Sequence, residues 1–132
     1  MKQRITKDQI DAAKQRTKYG GIEKVHEHDD CVRIAYEWLD AQKKNKRSSS
    51  KGHMVKHLIE DWAGRYVSTA DVMVAAELHP DIHGEYPGFN LSANLTEPSE
   101  QRLMFIEEAY QHKDKRGSHD PRKYKNREMP VR

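Results

Sequence analysis

Long apolar runs are missing from this 132-residue chain. The longest, Val72 to Ala76, has five residues. A membrane-spanning helix requires about 20, so none is expected. The opening MKQRITKDQI contains no apolar stretch of the kind a secretory signal uses. Cysteine is nearly absent too. Cys31 stands alone, so no internal disulfide can form, and it falls on an apolar helical face, which predicts a reduced, cytoplasmic setting. There is no HExxH pair, no CxxC pair, no phosphate-cradling Gly-rich loop and no nucleophile–base set. A non-enzymatic protein without cofactor or metal is therefore expected.

What the chain has in abundance is charge: 34% charged against 35% hydrophobic residues, with a mean hydropathy of −1.08. That apolar content suffices for one core of roughly 80–90 residues, with the remainder solvated. Helical periodicity organises it. Thr6, followed by Asp8 and Gln9, resembles a capping box opening a short polar helix to about Lys18. Its apolar stripe (Ile5, Ile10, Ala13) is thin, and Gly20-Gly21 ends it. Such a helix is expected to order against a partner. Asp29 and Asp30 suit the amino end of a stronger helix, in which Val32, Ala35, Tyr36 and Leu39 recur at helical spacing and Cys31, Ile34 and Trp38 widen the buried arc.

After Ser48-Ser49-Ser50 a second amphipathic helix carries Met54, Val55, Leu58, Ile59, Trp62 and Ala63, and Gly64 can close it. Ser68 and Asp71 outline a capping box for a third, whose inner face is Val72, Ala75, Ala76 and Leu78 and which Pro80 stops. Pro98-Ser99 suggests a last helix to about His112, and Phe89 to Leu95 reads as a short strand or a helical turn. The fold expected is mainly α: a small domain of three to four packed helices with flexible basic ends. Its divisions are a polar N-terminal helix and link (1–24), a helical core (25–112) and a basic disordered tail (113–132). In layout, the helix, three-residue link and short capped helix resemble a helix-turn-helix or winged-helix arrangement.

The charges are segregated. Residues 1–18, 42–51 and 113–132 carry net charges of +4, +5 and +5, and the remaining chain carries −11. Lys/Arg segments interleaved with an aromatic suit phosphate neutralisation with base stacking. This marks Lys43, Lys44, Lys46 and Arg47, and in the tail Arg122, Lys123, Lys125 and Arg127 around Tyr124. DNA or RNA is the partner these imply. The capped helix 69–79 has acids and no Lys or Arg, a poor reader of base edges among phosphates. Groove-reading groups would come instead from Asn90, Ser92 and Asn94. The acidic body suits a basic protein partner, with Glu60, Asp61, Asp71, Glu77, Asp81 and Glu85 as the docking residues.

Eight histidines raise the question of metal. His53 and His57 have the i, i+4 spacing of a ligand pair but lack a glutamate between them, so surface histidines are the expected reading. His26 and His28 precede the helix-opening aspartates. In ELHPDIHGEYPGFNLSANL and beyond, His83, Asn90 and His112 follow the order His, Asn, His. That order loosely resembles the ββα-metal nucleases, in which one histidine activates water and another holds the metal. The alternative for that stretch is a turn-rich connector pinned by Tyr86, Phe89 and Leu91. The function expected is thus a small nucleic-acid-binding accessory or regulatory protein, with general features that suit a phage or mobile element. A protein-interaction adaptor or inhibitor is the alternative, and a nuclease the minor one.

Overall fold

A computed structural model describes residues 4–48 and 54–129. The protein is mainly helical. Among the described residues, five α-helices run as α1 (Lys7–Arg16), α2 (Asp29–Asp40), α3 (Lys56–Ala63), α4 (Thr69–Leu78) and α5 (Lys113–Gly117). The only paired strands there are β1 (Thr96–Glu97) and β2 (Asn126–Arg127), parallel to each other. No described helix is long and apolar enough to cross a membrane.

Local signals explain where the helices begin. Thr6 Oγ1 accepts from Gln9 N at 3.1 Å, and the Gln9 side chain accepts from Thr6 N at 2.8 Å. The same reciprocal box joins Ser68 and Asp71. At α2 the cap is His28, whose Nδ1 accepts from Asp30 N at 2.9 Å, while Asp29 and Asp30 form the first turn beside the positive end of the helix dipole. Gly64 ends α3 with φ +61°, and a Cβ there would lie 3.2 Å from Tyr110 Cα. Glycine alone meets both demands.

The core is built around α4. It packs between α1 and α2, with Ala70, Asp71, Val72, Val74, Ala75 and Ala76 all buried. A helix enclosed to this degree is a central strut. Its accessible side is limited to Thr69, Met73, Glu77 and Leu78, which include no Lys or Arg. Trp38 of α2 and Trp62 of α3 are fully buried, and each indole N–H has an acceptor: Tyr124 Oη at 3.0 Å and Pro98 O at 3.2 Å. Cys31 is buried as well, its thiol pushed up to about 12 chiefly by burial, with the Asp71 charge adding to it. Its alkylation at neutral pH should therefore be slow and should track unfolding. Fast stoichiometric labelling of the native protein would contradict this packing.

Four sequence expectations change. First, α1 orders against the chain itself: Ile10 and Ala13 have no exposure, and Arg16 Nε reaches Glu77 at 3.3 Å. The 1–24 boundary thus cuts through the packed unit. Second, the expected helix 98–112 is replaced by a 3-10 turn (Glu100–Leu103) and irregular backbone. Its amide donors are drawn elsewhere: Glu108 N to the Asp30 carboxylate, Tyr110 N to Ala63 O and His112 N to Gly64 O. Those bonds close the end of α3, and they compete with i−4 pairing. Third, the described part of the 42–51 linker is paired along the backbone with residues 90–92, and it is fixed there by the Asn90 amide, which donates to Asn45 O, and by the Gln42 amide, which bonds Thr96. Residues 49–53, which include Lys51 and His53, lie outside the described residues. Fourth, described residues 113–129 of the expected tail are folded onto the body, held by Tyr124 and by β2.

Candidate nucleic-acid interface

Two short backbone pairings share one middle segment, which bends at Ala93-Asn94 between them. That segment is 90–97. On one flank Lys44 bridges Leu91 in antiparallel fashion, Asn45 N donates to Asn90 O at 2.7 Å, and Ser92 N donates to Lys43 O at 2.8 Å. On the other flank Thr96 pairs with Asn126 and Glu97 with Arg127, while Lys125 N donates to Leu95 O at 3.0 Å. Side-chain amides fasten both seams. Gln42 exchanges hydrogen bonds with both backbone groups of Thr96, each at 2.8 Å. Asn90 donates to Asn45 O and Asp81 O at 2.9 Å and accepts from His83 N at 2.8 Å. The basic runs 43–47 and 122–127, some 80 residues apart in the chain, thus border one segment.

The predicted cations differ in their engagement. Lys43, Lys46, Arg47, Lys123 and Lys125 are exposed, and none has a salt-bridge partner among the described residues. Lys44 donates to Asp40 O at 2.8 Å. Arg122 is paired with Asp120 at 3.0 Å, a hydrogen bond that raises the guanidinium pKa and lowers that of the carboxylate. Arg127 lies 3.6 Å from Glu97, but its side chain is 81% exposed. Tyr124 is a correction: it is buried, accepts from Trp38, and burial pushes its phenol up to about 12. It anchors the segment and cannot stack on a base. Between the flanks Ala93 and Asn94 are exposed and Ser92 half-buried, whereas Asn90 is buried and fully engaged.

Beside β2 a cleft of about 410 Å³ is lined by Glu97, Glu100, Arg116, His119, Lys125 and Arg127, among others. His119 Nε2 is 2.7 Å from Glu97, and Arg116 is paired with Glu100. Arg116, His119, Asn45 and Asn126 were not singled out by the sequence. Their spacing is unremarkable in the chain; the fold brings Arg116, His119 and Asn126 to the cleft and sets Asn45 at the other seam, against Asn90.

The predicted acidic face divides in two. Glu60, Asp61 and Asp71 are interior. Glu60 accepts from Val67 N at 3.1 Å and meets Lys56, His57 and Lys115 at 3.2, 3.1 and 3.6 Å. Asp71 caps α4, accepts from Glu27 N and faces His26 Nδ1 at 2.8 Å. Glu60 and Asp71 are structural carboxylates, retained inside because each meets donors. Glu77, Asp81 and Glu85 are exposed, and Glu77 is paired with Arg16.

The histidines serve the frame as well. His79 is buried, 2.8 Å from Asp40, and accepts from Asp81 N at 3.1 Å. His83 Nδ1 lies 2.9 Å from Ser48 Oγ, and His112 Nδ1 accepts from Tyr66 N at 2.9 Å. His83 and Asn90 are neighbours, but His112 is engaged at the end of α3, so the three do not converge. Among the described residues no three His, Cys, Asp or Glu side chains cluster as metal ligands. Set beside protein-family models, curated proteins and solved structures, the chain matches no family, no curated protein and no solved structure.

Proposed function

We propose that this chain is a non-enzymatic nucleic-acid-binding protein whose basic segments 43–47 and 122–127 grip phosphates together. The observation that supports the reading is the double backbone pairing about residues 90–97. It brings the backbones of two cationic runs to one segment, and five of their Lys/Arg side chains have no ion-pair partner among the described residues. Such cations gain most from displacing condensed counterions on a nucleic acid. A regulatory or accessory role follows, since the interface offers affinity and little base reading.

Fluorescence anisotropy of labelled DNA and RNA at about 50 and 200 mM salt tests this reading. The intact protein should bind at the lower salt and weaken steeply at the higher. Changing Lys43, Lys46, Arg47, Lys123 and Lys125 to Gln should remove most of the binding while far-UV circular dichroism stays unchanged. Cutting the chain at residue 112 is the wrong variant, because it also removes Tyr124 and Glu128 from the core. Absence of binding at low salt by the folded, intact protein would overturn the proposal. The exposed carboxylates Glu77, Asp81 and Glu85 would then become the surface to probe with protein partners.

A further inference from the structure

We infer that the nucleic acid taken by this interface is a duplex, gripped by its phosphates on both strands across a groove. The inference rests on the nucleic-acid reading above and names its ligand class. Two observations carry it.

The first is the spacing of the cations. Lys44 sits opposite Leu91, and Asn126 sits opposite Thr96. Neighbouring strands lie about 4.8 Å apart and a strand advances about 3.4 Å per residue. The two pairing points, Leu91 and Thr96, are therefore at most about 17 Å apart along the middle segment, which bends between them, and each basic row lies one strand spacing to its side. Adding the reach of lysine and arginine side chains brings the rows onto phosphates on opposite sides of a groove, whose width is about 6 Å (minor) or 12 Å (major) in B-DNA. Between the rows lies the bend Ser92-Ala93-Asn94, small and polar. A narrow ridge flanked by positive charge fits a groove edge.

The second is where the rings are. Single-strand binders need exposed aromatic faces for unstacked bases. The two rings on or beside this surface are both taken into the core. Tyr124 is buried against Trp38, and Phe89 is 4% exposed with Tyr86 packed edge-on to it. The exposed rings Tyr66 and Phe105 belong to other segments, and Tyr110, next to the cleft, already has the Arg116 guanidinium over its ring at 5.6 Å. A ligand whose bases are already stacked on one another does not require the missing platform. The surface therefore rewards phosphate and shape, and sequence selectivity should be weak.

The test compares one 20-base-pair DNA duplex, its separate mixed-sequence strand and the corresponding RNA duplex, by anisotropy with the full chain. At least one duplex should bind about tenfold more tightly than the single strand, with a steeper salt dependence, since slopes approach −0.9 per phosphate contact on B-DNA and −0.7 on single strands. The variants K46Q/R47Q and K125Q/R127Q should each lower the duplex slope by about two units, and combining them should lower it by about twice that. Which duplex wins distinguishes B-form from A-form groove geometry and supports the inference either way. Equal or tighter binding of the single strand would overturn the inference and leave the nucleic-acid reading intact. Loss of slope from one pair only would also overturn it, because a single row would then carry the contact. If no nucleic acid binds, both readings fall together.

Discussion

Replacing Arg102 with alanine should lower the unfolding free energy by about 3 kcal/mol and the thermal midpoint by about 10 °C. This one guanidinium meets three carboxylates: Glu128 at 2.6 and 2.7 Å, Glu37 at 2.9 Å and Asp40 at 3.0 Å. Its side chain is 17% exposed. Removing it leaves three acids crowded at the junction of α2, the 3-10 turn and β2, with their desolvation no longer offset. The damage should be directional. Glu128 also accepts from Ser99 N, and its own N–H donates to Glu97 O. Loosening it therefore frees the segment that carries Lys125 and Arg127. Hydrogen exchange at 125–128 should rise before exchange in α4 does.

The pH dependence follows from the same contacts. Burial pushes the Glu128 carboxyl up, but the hydrogen bonds from Arg102 and Ser99 outweigh it and hold the pKa below the usual 4.5. Asp30 behaves alike: burial raises it, and Arg33, Glu108 N–H and Arg4 bring it below the usual 3.8. A carboxylate with a lowered folded pKa contributes stability that is present above its unfolded value and lost as pH falls through the folded one. Stability should therefore decline on acidification below about pH 4.5, and the Arg102→Ala variant should decline less steeply there. If its acid limb matches that of the unaltered protein, Glu128 is not held by this arginine.

Asp71→Ala should be about as costly, near 3 kcal/mol, because it removes the reciprocal half of the capping box and leaves the part-buried donors Ser68 N, Glu27 N and the His26 ring without their acceptor. Its carboxylate has no exposure. His26 in turn lies 3.2 Å from Tyr19 Oη, so the carboxylate ties the 19–27 segment to the start of α4. Glu77, six residues later, belongs to the same acidic set on sequence grounds but is exposed and only ion-paired with Arg16. Glu77→Ala should cost under about 0.5 kcal/mol, as is usual for a surface pair. Denaturant unfolding of the two variants side by side decides the matter: equal costs would place Asp71 outside the structural frame. The contrast also bears on function, since loss of binding in an Asp71 variant would report unfolding and say nothing of docking.

The residue pattern alone was sufficient for the presence of α1, α2, α3 and α4, although it runs α2 on to the basic residues before Ser48, whereas the helix stops at Asp40 and 43–45 pair with 90–92. Each combines an apolar stripe of helical period with a cap or a glycine stop within a few residues, and those interactions are local. Thr6 with Gln9, Ser68 with Asp71, and Gly64 all do in the fold what their spacing implies. The segregation of charge was equally legible, being a property of composition. Three-dimensional packing decided the remainder. Whether Asp71 faces a donor or solvent depends on His26 and Glu27, 45 and 44 residues away. Whether Tyr124 is a stacking ring or a core anchor depends on Trp38, 86 residues away. The segment 98–112 has helical residues but loses its amide donors to Asp30, Ala63 and Gly64. The basic runs look like a linker and a tail until Gln42, Asn90 and β1 hold them in place. Side-chain amides and short parallel pairs leave no periodic trace in a chain, because their partners are set by long-range closure and not by neighbours. The candidate interface is made almost wholly of such contacts, so its cations were visible in the sequence and the pairing of their backbones with residues 90–97 was not.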